Sequence, residues 1–138
     1  MITGNYPNLR LRRSRKEDWS RRLTQENSLS ANDLILPVFL LDGKNTIQKI
    51  DSFPDVYRYT IDKLGYIIDK AIKNKIPMVA LFPHTQKKVK NAFGTEALND
   101  ENLVCRAIQH IKKYYKNEIG IMCDVALDPY TTHGHDGL

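Results

Sequence analysis

Three short apolar runs, at 34–41, 78–82 and 119–127, alternate with two stretches of helical periodicity, and this alternation limits the fold more than any other feature of the chain. The first two runs are too short and too continuously apolar for amphipathic helices, and they read as strands buried on both faces. Pro37 removes one ladder donor from the first run and predicts an edge strand or a bulge there. Between the first two runs, Thr60 is placed to cap a helix that ends near Lys75. Ile61, Leu64, Ile68, Ala71 and Ile72 keep its apolar face, with Lys63, Asp69, Lys70 and Lys73 on the other side. Between the second and third runs, Asp100 is placed to open a helix striped by Leu103, Val104, Ala107, Ile108, Ile111 and Tyr115. Strand–helix–strand alternation of this kind predicts βαβ units and a parallel α/β sheet with right-handed crossovers. Residues 45–59 read as loop or short strand around Pro54, and 87–99 as a polar loop turning at Gly94.

The formal net charge of +5 is concentrated at the start of the chain. Residues 1–23 carry seven Arg and Lys, including Arg10, Arg12 and Arg13, against Glu17 and Asp18, while the remainder is balanced. Within this segment Ser14 and Glu17 have capping-box spacing, and Trp19 and Leu23 lie one turn apart, which predicts a short helix over about 15–24. The chain thus divides into a basic arm, 1–32, and an α/β part, 33–138. A basic arm suits nucleic acid or an acidic neighbour. This one lacks aromatics interleaved with the charges beyond Trp19, so docking on a neighbouring subunit is the reading adopted, with no nucleic-acid partner. A non-catalytic assembly or nucleic-acid-binding module acting through the arm is the alternative. No apolar run approaches the roughly 20 residues of a membrane span, and Met1-Ile2-Thr3-Gly4 is no signal sequence. Cys105 and Cys123 have no CxxC spacing and read as reduced packing residues, consistent with a cytoplasmic protein without a membrane partner.

The chemistry gathers at residues 124–137, Asp-Val-Ala-Leu-Asp-Pro-Tyr-Thr-Thr-His-Gly-His-Asp-Gly. Along a strand over 119–127, Ile119, Ile121, Cys123, Val125 and Leu127 share one face, and Asp124 and Asp128 the other. Asp124, Asp128 and Asp136 fit three roles: metal ligands, an acid/base set, or caps and turn formers. An all-oxygen set favours Mg²⁺ over Zn²⁺. His133 and His135 fit zinc ligation or loop histidines bonded to backbone carbonyls. His84 and Thr85, ending the second strand, are positioned for the same mouth. Every lysine lies on a polar helix face, in a turn or in a polar loop, so none has the apolar surroundings that would make it a Schiff-base nucleophile.

With these residues in view, the sequence resembles the porphobilinogen synthase (5-aminolevulinate dehydratase) family. The likeness runs through Arg10-Leu11-Arg12-Arg13-Ser14, Asp33-Leu34-Ile35-Leu36-Pro37-Val38-Phe39, Val56-Tyr57-Arg58, Ala80-Leu81-Phe82-Pro83 and Gly94-Thr95-Glu96-Ala97. Asn102-Leu103-Val104, Arg106-Ala107-Ile108 and the 124–137 stretch follow in the family's order. The resemblance implies a TIM (β/α)8 barrel that condenses two 5-aminolevulinate molecules into porphobilinogen, for haem and other tetrapyrroles. It implies that Asp124 is an active-site acid, that Asp136 contacts substrate, and that Asp128 stands at a metal-ligand position. Zinc-type members carry cysteines where this chain has Ala126, Asp128 and Asp136, so the resemblance is to the aspartate-rich branch. That branch implies no zinc-thiolate site, and an allosteric magnesium whose ligands lie outside this chain. Arg10, Arg12 and Arg13 are implied in subunit contacts of a homo-oligomer, an octamer or, in some members, a hexamer. The family's two Schiff-base lysines, its substrate-carboxylate residues and its allosteric magnesium ligand come from later strands and have no counterpart here. A closed barrel takes about 250 residues. The expectation is therefore an arm plus the first three strands and two helices of an incomplete barrel, inactive by itself.

Overall fold

A computed structural model of the chain describes residues 4–136. Contacts divide it into a unit ending at Ser30 and a larger one beginning at Ala31. In the first unit a 3-10 turn at Arg13–Arg15 precedes a short helix, α1 (Asp18–Leu23). The capping box predicted from Ser14 is not made. Glu17 is the N-cap, without a side-chain bond, and the Ser14 carbonyl accepts from Ser20 Oγ at 2.9 Å. Asp18 instead pairs along the helix with Arg22, 2.9 Å, and Arg21, 3.6 Å.

The second unit is built on five strands: β1 (Ile35–Leu41), β2 (Ile47–Lys49), β3 (Tyr57–Tyr59), β4 (Met78–His84) and β5 (Gly120–Cys123). Their spatial order is β2-β3-β1-β4-β5. β1 pairs in parallel with all seven residues of β4, from Ile35 opposite Met78 to Leu41 opposite His84. β5 continues the parallel sheet on β4. On the other flank β3 pairs with β1 only at Phe39 and Leu40, and β2 adds antiparallel to β3. The parallel unit expected from the alternation is present, but the sheet is mixed, because 45–59 holds two strands rather than loop. Pro37 lies on a central strand, two residues before the β3 pairing begins, so that part of β1 has an open flank and the proline needs no compensating bulge.

Two helices, α2 (Leu64–Lys73) and α3 (Leu103–Tyr115), link the parallel strands. Leu64, Ile68 and Ala71 of α2 and Leu103, Ala107 and Ile111 of α3 are buried in one cluster with Val38, Leu40, Val79 and Leu81. Each Val, Leu or Ile side chain among them, removed from water, is worth about 1.5–3 kcal/mol. Asn102, not Asp100, caps α3, its side chain accepting from the Cys105 N–H at 2.9 Å. Thr60 heads the 3-10 turn before α2 without capping it. Its hydroxyl bonds both the N–H and the carbonyl of Thr46, each at 3.1 Å, and so ties β2 to β3. Tyr115 OH donates to Asp69 at 2.8 Å, joining α3 to α2. Burial and this bond raise the phenol's pKa to about 12.

Alternation along the strands puts Val38, Leu40, Val79 and Leu81 under the helices and Ile35, Pro37, Phe39, Ala80, Phe82 and Met122 on the opposite face. That face is open: Ile35, Phe82 and Met122 are 46%, 40% and 44% exposed. Within the second unit, the expectation of strands buried on both faces holds for the helix side only, because no described element of that unit covers the other.

Candidate active site

The carboxyl ends of the parallel strands form a mouth, which in parallel α/β folds is where chemistry is placed. β5 ends at Cys123, four residues earlier than the periodicity predicts. Asp124 is thus the first residue beyond the strand. It stands exposed, one step past the Leu81–Cys123 pair that ends the ladder. The alternation predicted through Leu127 does not persist: Val125 is fully exposed, and Leu127 opens a turn whose carbonyl accepts from the Tyr130 and Thr131 N–H groups.

Asp136 closes this turn. Its Oδ1 accepts from the Leu127 N–H at 2.7 Å and the Asp128 N–H at 3.0 Å. These two donors hold its carboxyl below the ordinary aspartate pKa. Thr131 Oγ1 donates to the His135 carbonyl at 3.0 Å and accepts from the Gly134 N–H at 3.2 Å, fixing the tip. The loop also pairs with 91–94. Asn91 bridges Thr131, and Gly94 has φ +62°, where an added Cβ would stand 3.4 Å from Thr131 Cγ2. Glycine serves both the left-handed conformation and the close approach.

Of the three predicted carboxylates, Asp128 and Asp136 are brought together, through the Asp128 backbone. Among the described residues no hydrogen bond joins Asp124 to either, and Asp124 and Asp128 are exposed. His133 follows the backbone-bonded alternative: Nε2 lies 3.1 Å from the Ala92 carbonyl, and Nδ1 accepts from the His135 N–H at 3.3 Å. Among the described residues no three His, Cys, Asp or Glu side chains converge as a metal requires. Burial pushes the Cys123 thiol pKa up, the reverse of what thiolate ligation needs.

His84 and Thr85 do reach the mouth. With Pro83, Lys87, Lys90, Thr131, Thr132 and His133 they line a cleft of about 590 Å³. Two features here escaped the sequence reading. Asp42, just past β1, pairs with Arg106 of α3 at 3.0 Å, a contact across 64 positions that no local pattern announces. Arg58, in a strand of three residues, has no neighbouring periodicity from which its face can be read. In the first unit, described by itself, Arg12, Arg13, Arg15 and Lys16 line a cationic groove, and Arg10 lies 5.5 Å from the centre of the Tyr6 ring.

A family profile described as delta-aminolevulinic acid dehydratase matches residues 8–138. A delta-aminolevulinic acid dehydratase of Bradyrhizobium diazoefficiens is 49% identical over 130 residues, which are 94% of this chain and 36% of the relative. One of Chlamydia pneumoniae is 40% identical over 129 residues, 94% and 39% respectively. The crystal structure of the Toxoplasma gondii enzyme, in complex with its reaction product porphobilinogen, superposes with a TM-score of 0.83 at 35% identity. That match covers 94% of this chain and 36% of the other. The chain thus spans a little over a third of the length of these relatives.

Proposed function

The chain belongs to the delta-aminolevulinic acid dehydratase family, and we propose that it forms the opening part of an enzyme that condenses two 5-aminolevulinate molecules to porphobilinogen. Its sheet and two long helices are part of that family's TIM barrel, not closed among the described residues. What supports the reading is the position of Asp124, exposed and one step past the carboxyl end of β5. In this reading its carboxylate pairs with a substrate ammonium and assists proton transfer. Asp136 holds the substrate-facing turn in shape and presents its remaining oxygen to substrate. None of this chain's lysines is buried, so the imine-forming lysines are supplied by strands beyond these. By itself, the 138-residue chain makes no porphobilinogen.

Three finer points belong to the same reading. Magnesium acts from a site whose ligands lie outside this chain, as the resemblance to the aspartate-rich branch implies, and no step here passes through it. Arg10, Arg12 and Arg13, exposed in residues 1–32, make subunit contacts in an octamer. Residues 33–138 supply the barrel portion of a cytoplasmic enzyme.

The test is expression of the complete reading frame with an assay for porphobilinogen. Asp124→Ala is expected to lower kcat by 10²- to 10⁴-fold, the usual worth of a positioned acid or base. Retention of activity within threefold would remove Asp124 from the mechanism, and no product from the unsubstituted enzyme would remove the reading. Loss of activity to a zinc-selective chelator would contradict the aspartate-rich assignment.

A further inference from the structure

The turn that carries Asp136 is docked on the loop after β4, and the docking passes through one residue, Asn91. The Asn91 N–H donates to the Tyr130 carbonyl at 3.2 Å, and the Asn91 carbonyl accepts from the Thr132 N–H at 3.1 Å. Thr131, held between them, is buried, as is Tyr130. Both backbone polar groups of Asn91 are thus committed to the turn, and a rotation of its peptide planes would misalign both bonds together.

The side chain of the same residue fixes that orientation. Its Oδ1 accepts from the Phe93 N–H at 3.0 Å and the Thr95 N–H at 3.2 Å, and its Nδ2 donates to Thr95 Oγ1. An asparagine amide both accepts from turn N–H groups and donates, which few other side chains do at this length. Gly94, inside the turn so closed, is buried and stands against Thr131 and Leu127. His133 reaches the Ala92 carbonyl from the other side. Residues 91–94 are therefore a platform for the 127–136 turn, and Asn91 holds the platform in shape.

The two acids assigned to the site have different supports. Asp124 follows β5 directly, and the ladder with β4 places it. Asp136 bonds to the Leu127 and Asp128 N–H groups of its own turn, and the platform places the turn. We propose that Asn91 is a positioning residue for substrate binding, setting where the Asp136 carboxylate stands without touching substrate itself. This rests on the preceding reading, in which Asp136 meets substrate. A displaced Asp136 weakens the bound substrate and the transition state alike, so the loss falls on KM and not on kcat.

The first test needs no catalysis. In amide hydrogen exchange of the 138-residue chain, Asn91→Ala speeds exchange about tenfold at Thr132, which bonds Asn91, and at Leu127, which bonds Asp136. Asn91→Asp keeps both slow, because it retains the acceptor for Phe93 and Thr95 and can accept from Thr95 Oγ1. Ile111 in α3 exchanges alike in all three proteins. A Leu127 amide as protected in Asn91→Ala as before overturns the positioning role. Should Asn91→Ala unfold as a whole, Gly94→Ala decides: its methyl crowds Thr131 at a left-handed φ, and an unaltered Leu127 amide there overturns the role equally.

In the complete enzyme Asn91→Ala raises KM for 5-aminolevulinate about three- to tenfold with kcat within about twofold, and Asn91→Asp restores it. With Asp136→Ala already in place, Asn91→Ala raises KM no further, as for residues acting through one chain of contacts. A loss carried by kcat, additive losses in the double variant, or an aspartate variant as poor as the alanine one overturns the role. Porphobilinogen formed with a KM indifferent to Asn91 removes this inference alone. If no porphobilinogen forms and exchange at Leu127 still follows Asn91, the family activity falls and the coupling of Asn91 to Asp136 stands.

Discussion

A carboxylate that accepts two backbone N–H groups is stabilised in its ionised form, and Asp136 does this for the turn that begins at Leu127. Its folded pKa is depressed, so the stability it lends is fully present above the ordinary aspartate value, about 3.9. That stability is lost as pH falls through the lower folded value. The amide shifts of Leu127 and Asp128 should titrate together with a midpoint below that of a free aspartate. Asp136→Ala should abolish that titration and broaden the Thr131 and Gly134 amides. A midpoint at or above the free value would mean that the clasp is not formed in solution. The sequence supplied the right residue types here and left three roles open for them. The choice between ligand and turn former depends on where two N–H vectors point, which composition does not carry. The same holds for His133, whose two ring nitrogens are both engaged by nearby backbone.

At the scale of elements, the long periodic segments were legible and the short ones were not. Ile68, Ala71, Ala107 and Ile111 repeat over several turns, so the helices and their buried faces could be read. β2 and β3 have three residues each, too few for any period, and β2 is exposed throughout. The N-terminus of α3 shows the limits of boundary reading. Asp100 and Asn102 are both good caps by type, and only the bond to the Cys105 N–H distinguishes them. Asn102→Ala should therefore cost about 1 kcal/mol, measured by urea denaturation, whereas Asp100→Ala should leave the midpoint nearly unchanged. Equal effects would mean that the cap is shared.

For the molecule as a whole, the open face is the dominant fact. Ile35, Phe82 and Met122 stand exposed on it. An apolar groove of about 310 Å³, lined by Leu36, Pro37, Tyr57, Ile67 and Ile76 among others, runs along the free part of β1. Contiguous apolar surface beside an unpaired strand favours association. The 138-residue chain should self-associate with rising concentration in sedimentation experiments and bind a hydrophobic dye. A monodisperse, dye-silent monomer at 100 µM, on the order of the concentrations where exposed patches associate, would show that the face is covered.

The strand pairings also carry a timetable. β2 meets β3 across a short loop, a closure of the microsecond class, and the reciprocal bonds between Thr46 and Thr60 secure it. β1 must instead wait for β4, roughly forty residues downstream, and pairings of such separation are slow to form. The hairpin is thus the early local structure of the larger unit, and Arg58 is carried on it before the mouth that it borders exists.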